Sequence, residues 1–228
     1  ALPIPVMHDD QHGTAIVTLA GLINACKITG RKLSDTKIVI VGSGAAGVAI
    51  AKLLEKYAQP QIIAVDSKGI ISKSRKDLNE AKKLLLKFSN KANLSGSLAD
   101  ALQDADIFIG VSRPKLLNAA MIKTMAKDPI VFAMANPEPE IMPDIARKAG
   151  VAVMATGRSD FPNQVNNALA FPGIFRGALD NKVRQISDEH KIRTAEKIAS
   201  LVENPSPDKI TPGLLTPGLA EAVASVIK

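Results

Sequence analysis

Four side chains that could bind a metal or move a proton stand together near the start of the sequence, in the segment PVMHDDQHGT. They are His8, Asp9, Asp10 and His12, and an apolar segment follows them directly. Carboxylates and histidines are both metal ligands, and histidines four positions apart can bind zinc. The zinc motif H-E-x-x-H has a glutamate after its first histidine, but this sequence has Asp9 there. The cluster is therefore a candidate metal site, but its pattern argues against zinc.

A second chemical motif is a glycine-rich turn, which has the spacing G-x-G-x-x-G. A β-branched run precedes it, a helical segment begins within it, and Asp66 ends the next such run 19 positions after Gly47. In a dinucleotide site the first glycine makes the tight turn, the second admits the pyrophosphate and the third lets helix and strand pack. We therefore expect NAD or NADP to bind at Gly42, Ser43, Gly44, Ala45, Ala46 and Gly47.

The residues that follow this second run give conflicting signals about the cofactor. Asp66 favours NAD, because a carboxylate can accept the ribose hydroxyls and would repel a 2′-phosphate. Ser67 and Lys68 come next and could hold that phosphate, or could be ordinary loop residues. The sequence leaves NAD and NADP both open.

Further polar side chains follow three later apolar runs, where an open α/β sheet binds its ligands. Val111 and Ser112 follow one run, and Asn136 follows the next. A third segment, TGRSDFPNQVNN, gathers charged and amide side chains within ten positions: Arg158, Asp160, Asn163, Gln164, Asn166 and Asn167. Their convergence on one sheet edge favours a ligand site over ordinary turn residues.

The elements that would position these residues alternate along the chain. Helical spacing predicts a helix over 14–28, and short apolar runs predict strands at 36–42, 61–66, 106–110, 129–135 and 151–157. Helices are predicted between them, including 76–91 and 140–150, and only helices are predicted from residue 166 onward. Such apolar strands are typical of a doubly wound, mostly parallel Rossmann-type sheet. We expect the Pro-rich stretch 204–218 to pack through Leu214, Leu215 and Leu219.

Composition excludes several classes of protein. The 228 residues carry a net charge of +7, but only 3% are aromatic and the lysines are dispersed, which argues against nucleic-acid binding. Cys26 is the single cysteine, so no intramolecular disulfide can form. The sequence has neither an apolar run long enough to span a bilayer nor a leader-like start, and we expect a cytoplasmic protein.

Four segments together resemble the malic enzymes of the compact prokaryotic type, in register from Pro5 to Asp180. They are HDDQHGT, GSGAAG, FAMANPEPEI and TGRSDFPNQVNNALAFPGIFRGAL. The resemblance implies that malate is oxidised with NAD or NADP and decarboxylated to pyruvate with Mg²⁺ or Mn²⁺. It implies that Asp10 binds the metal and that Asp9 orients a catalytic lysine. It also implies that malate or the nicotinamide contacts Asn136, Asn166 and Asn167.

The sequence departs from that family because the domain with the lysine, the tyrosine acid and two more metal carboxylates is not visible in it. We expect 1–12 to be an active-site entry segment, 13–165 the NAD(P)-binding domain, and 166–228 a helical segment that packs on the missing substrate domain. The family implies a homodimer, and the chain alone is expected to be inactive. Two alternatives stay open: another NAD(P)-dependent dehydrogenase of this fold, and a non-catalytic NAD(P)-binding module.

Overall fold

The computed structural model describes residues 4–228, and its centre is one six-stranded sheet. The strand order is β3-β2-β1-β4-β5-β6, and only β3 runs antiparallel to its neighbour. This is the order of the dinucleotide-binding fold, so the predicted doubly wound sheet is confirmed. The strands are β1 (Lys37–Val41), β2 (Gln61–Asp66), β3 (Gly69–Ile70), β4 (Ile107–Gly110), β5 (Ile130–Ala133) and β6 (Val153–Thr156).

Helices cover both faces of this sheet. Within residues 4–228 they are α1 (Thr14–Thr29), α2 (Ala45–Tyr57), α3 (Glu80–Leu85), α4 (Leu98–Leu102), α5 (Ala119–Ile122), α6 (Pro143–Lys148), α7 (Phe171–Asp180), α8 (Asp188–Ser200) and α9 (Leu219–Ala224). A π-helical turn, Asp9–Gly13, leads into α1, and a 3₁₀ turn, Asn167–Leu169, leads into α7. None of the helices described over residues 4–228 combines the length and apolarity needed to cross a membrane.

The core lies on both faces because successive strand residues point to opposite sides. Ile38 and Ile40 of β1 belong to the cluster formed with α1, α2, α7, α8 and α9. Val39 and Val41 belong to the cluster formed with α4, α5 and α6. Burial on both faces explains why the strands are almost wholly apolar.

The predicted helix over 14–28 is confirmed as α1, which ends at Gly30 in a left-handed conformation with φ of +67°. The long helix predicted over 76–91 is wrong, since only Glu80–Leu85 is α-helical. Asn79 begins it by accepting a hydrogen bond from the backbone N–H of Lys82. Asn90, with φ of +48°, lies beyond its end and donates its amide to the carbonyls of Ile71 and Leu94. The Asn79 cap fixes where the helix begins, and the left-handed backbone at Asn90 is incompatible with a helix that continues to residue 91.

Two smaller expectations also need correction. The helix predicted over 140–150 begins at Pro143, which takes the first helical position because it has no N–H to bond there. Of the three leucines expected to anchor the Pro-rich stretch, Leu219 is buried, but Leu214 and Leu215 are 39% and 95% exposed, and Ile210 is a buried anchor within the stretch instead. Asn163 fixes this stretch by accepting a hydrogen bond from the N–H of Ile210 at 2.9 Å.

Candidate functional site

The glycine turn lies at the carboxyl end of β1, where the crossover connections diverge to opposite sides of the sheet. Gly42 has φ of +124°, and a Cβ there would meet the carbonyl oxygen of Val111 at 2.7 Å. A Cβ on Gly47 would collide with the carbonyl of Gly42. Gly44 is different, because it is exposed and no atom lies within 4 Å of the position its Cβ would take. Two of the three glycines are therefore required by packing, whereas Gly44 leaves open space before α2.

A cavity of 490 Å³ lies beside this turn, at the carboxyl ends of β1 and β2. Asp66, Ser67 and Lys68 form part of its lining, and Ser112 from the segment after β4 forms another part. Val111 directly precedes Ser112 and packs against Gly42 of the turn, with its backbone N–H bonded to the carbonyl of Val41 at 2.9 Å. The fold thus brings together residues that the sequence predicted separately.

The Asp66 carboxylate is engaged within the protein. Arg75 binds it through two nitrogens at 2.8 and 2.9 Å, Lys82 Nζ lies 2.7 Å from it, and the N–H of Lys68 donates at 2.8 Å. Burial alone would raise the pKa of Asp66, but these hydrogen bonds outweigh it and bring the pKa to about 2. The carboxylate is therefore ionised and surrounded by cations, which offsets its repulsion of a phosphate.

Glu140 is a buried carboxylate that links two loops of the site. Its Oε1 accepts a hydrogen bond from the N–H of Ser112 at 3.1 Å, and its Oε2 accepts one from the N–H of Ala135 at 3.0 Å. Nothing in the sequence separates it from Glu138, which is half exposed and pairs with Lys115 at 3.1 Å. Sequence reasoning therefore missed Glu140.

Asp9 and Asn167 meet at the entrance to α1. The amide of Asn167 donates to Asp9 Oδ2 at 3.2 Å, and the hydroxyl of Thr14 donates to Asn167 Oδ1 at 3.1 Å. Asp9 Oδ1 is buried and has no hydrogen-bond partner within residues 4–228. A buried carboxylate oxygen without a partner is rare, so this atom is suited to receive a donor from outside the described chain.

The metal expected at Asp10 can be tested against the donors present. Asp10 is exposed, and the described part of the chain contains no group of three His, Cys, Asp or Glu side chains that could hold an ion. The ring of His12 accepts a hydrogen bond from the N–H of His8 at 3.2 Å through Nδ1. Because Mg²⁺ takes about six oxygen ligands, residues 4–228 do not make a metal site by themselves.

The remaining predicted substrate residues lie on separate loops. Asn136 is exposed after β5, and its Nδ2 lies 3.0 Å from where a Cβ on Gly157 would stand. Asn166 uses its side chain to accept a hydrogen bond from the N–H of Ala168 at 2.9 Å, which caps the 3₁₀ turn. Within the described residues neither asparagine hydrogen-bonds to the Asp9–Asn167 pair.

With this geometry established, comparison with known proteins decides the family. The family model described as malic enzyme, NAD-binding domain, matches residues 11–226. This chain belongs to the malic enzyme family. A bifunctional malic/malolactic enzyme of Bacillus subtilis is 55% identical over 98% of the chain, which is 55% of that protein. An NADP-dependent malic enzyme of Halomonas elongata is 46% identical over 91% of the chain and 49% of its own length.

A solved structure gives the same result. The crystal structure of a malic enzyme from Pyrococcus horikoshii superposes with a TM-score of 0.95 at 44% identity, covering 99% of this chain and 55% of that one. The resemblance drawn from the four sequence segments is therefore confirmed, and so is the Rossmann-type fold. The chain spans about half the length of the malic enzymes that it matches.

Proposed function

We propose that this chain is the cofactor-binding part of a malic enzyme and binds NAD or NADP along the carboxyl edge of its sheet. The open space at Gly44 is the observation that carries the proposal. Gly42 and Gly47 are explained by packing, but packing does not require a glycine at 44. A bound pyrophosphate does require one, because its oxygens approach the backbone N–H groups at the start of α2.

The cofactor's two halves fit the two sides of this turn. In the proposal, the pyrophosphate lies over 42–47, and the adenosine lies in the cavity lined by Asp66, Ser67, Lys68 and Ser112, with Val111 beside it. Asn136 and Asn167 lie toward the nicotinamide. The cations around Asp66 support binding of either cofactor, because they neutralise a carboxylate that would otherwise repel a 2′-phosphate.

In the whole protein we propose the reaction L-malate + NAD(P)⁺ → pyruvate + CO₂ + NAD(P)H. Hydride passes from C2 of malate to the nicotinamide, and the resulting β-keto acid loses CO₂. Asn136, Asn166 and Asn167 contact the substrate, and the unpaired Oδ1 of Asp9 supports its role in orienting a lysine from outside this chain. Mg²⁺ or Mn²⁺ would take Asp10 as one ligand and its other carboxylates from elsewhere, and would stabilise negative charge on the substrate.

We also propose how the whole protein assembles. Residues 1–12, of which 1–3 lie outside the described residues, enter the active site, 13–165 bind the cofactor, and 166–228 pack against the substrate domain within a cytoplasmic homodimer. Phe175 is 44% exposed and Leu179 is 75% exposed on α7, which supports a partner surface on that segment. Sedimentation of the whole protein tests the dimer, and a monomer at working concentration would contradict it.

Titration of the 228-residue chain with NADH and NADPH, followed by nucleotide fluorescence, tests the proposed function. We expect saturable binding of at least one nucleotide and no malate-dependent formation of NAD(P)H. Failure to bind both nucleotides would refute the cofactor role. Rapid malate turnover by this chain would contradict the assignment of essential catalytic groups outside it, and turnover of another 2-hydroxy acid would favour a different dehydrogenase.

A further inference from the structure

Glu140 lies where two strand ends meet. The residue is fully buried, and its carboxylate stands between the segment that follows β4 and the segment that follows β5. Each oxygen accepts one backbone N–H, from Ser112 at 3.1 Å and from Ala135 at 3.0 Å. The backbone carbonyl of Glu140 accepts a third bond, from the N–H of Leu117 at 3.0 Å. One residue thus ties both segments to a single point.

Space for this carboxylate is built into the strand. A Cβ on Gly110, the last residue of β4, would collide with the side chain of Glu140. Glycine at this position therefore allows the carboxylate to reach both N–H groups.

The burial of Glu140 is costly and needs an explanation. No lysine, arginine or histidine within residues 4–228 forms an ion pair with it, and burial raises its pKa against the opposing hydrogen bonds from Ala135 and Ser112. An apolar side chain would fill the same space without that cost. What an apolar side chain cannot do is accept two N–H groups from two different loops.

We propose that Glu140 is a positioning residue that holds the Ser112 loop and the Asn136 loop in the arrangement needed by the dinucleotide. Ser112 lines the adenosine cavity, and Ala135 directly precedes Asn136, so the carboxylate joins the two halves of the cofactor site. Glu140 acts through these loops and does not itself touch the cofactor. This inference rests on the proposed NAD(P) binding.

The test compares E140Q with two controls in the 228-residue chain. Glutamine keeps one acceptor oxygen and replaces the other with an amide donor, so one loop loses its anchor. We expect the Kd for NADH, replaced throughout by NADPH if the unmodified chain binds only NADPH, to rise by about tenfold or more, because hydrogen bonds to a charged group are among the stronger ones. E138Q controls for charge, since Glu138 is exposed. N24A controls for stability, since Asn24 is buried in α1, where it bonds to the carbonyls of Ala199 and Ile210.

Hydrogen exchange of the cofactor-free chain supplies a second readout. We expect faster exchange at the N–H of Ser112 or Ala135 in E140Q than in the unmodified chain and both controls. N24A should lose at least as much thermal stability as E140Q while it binds NADH normally. If E140Q binds NADH within twofold of the unmodified chain, the inference alone is wrong. If the unmodified chain binds neither nucleotide, the proposed function is wrong, and this inference fails with it.

Discussion

The side-chain amide of Asn167 donates a hydrogen bond to the carboxylate of Asp9 across 158 positions of sequence, with Nδ2 3.2 Å from Oδ2. This bond holds the π-helical turn before α1 against the segment that follows β6. The Asp9 oxygen that Asn167 leaves free is buried and unpartnered within residues 4–228. Asn167 therefore sets the direction in which Asp9 presents that oxygen.

Replacing Asn167 tests this relationship. N167A removes the donor to Asp9 and the acceptor for Thr14, and we expect a loss of about 1 kcal/mol in the free energy of unfolding, because both hydrogen bonds are only partly buried. Urea denaturation measures this change in the free energy of unfolding. T14S is the matched control, because it keeps the hydroxyl that donates to Asn167. Equal urea midpoints for N167A and the unmodified chain would show that the bond contributes nothing.

The ion pairs of Asp66 predict an acid dependence. The pKa of Asp66 falls from 3.8 to about 2 on folding, so between these two pH values the unfolded chain binds more protons than the folded chain. The stability that Asp66 contributes is therefore fully present above pH 3.8 and is lost as the pH falls toward about 2. D66N should therefore be less stable than the unmodified chain at neutral pH, and the gap should narrow as the pH falls through that window. Chemical denaturation at several pH values measures the gap. Glu203, an exposed acid without an ion pair among the described residues, supplies the control E203Q, and a gap constant with pH would contradict the prediction.

The stability of the fold should not depend on the Asp10 side chain. Because the Asp10 side chain is exposed and forms no hydrogen bond within residues 4–228, D10N should leave the urea midpoint of this chain unchanged. In the whole malic enzyme the same substitution should abolish activation by Mg²⁺ or Mn²⁺, because it removes one metal carboxylate. Activity titrated with Mn²⁺ measures this. Undiminished activation would rule out Asp10 as a ligand.

The sequence predicted the fold well because its signals are local. Apolar β-branched runs define the strands, and the G-x-G-x-x-G spacing marks the turn after β1. The partners of Asp66 could not be predicted, because Arg75 and Lys82 reach it from a segment whose lysine spacing indicated a long helix. Glu140 could not be predicted either. Its role depends on the ends of β4 and β5 lying side by side, and no local pattern reports that contact.

Gly47 should be needed by the fold itself. A Cβ at this position would collide with the backbone carbonyl of Gly42, and backbone cannot move aside as a flexible side chain can. We expect G47A to lower both the urea midpoint and the affinity for NADH. A variant that is as stable as the unmodified chain would show that the turn has more freedom than its geometry indicates.

Gly44 gives the most direct test of cofactor binding at this turn. G44A adds a methyl group in open space, as does the control G213A, whose Cβ would have only Thr216 Oγ1 nearby, at 3.7 Å. G213A should unfold at the urea midpoint of the unmodified chain, and G44A should lose no more than about 1 kcal/mol, because Gly44 is the N-cap of α2 and Ala is a weaker cap than Gly. Titration with NADH, or with NADPH if the unmodified chain binds only NADPH, should then show a large loss of affinity in G44A and none in G213A. NADH binding by G44A as tight as that of the unmodified chain would contradict the account.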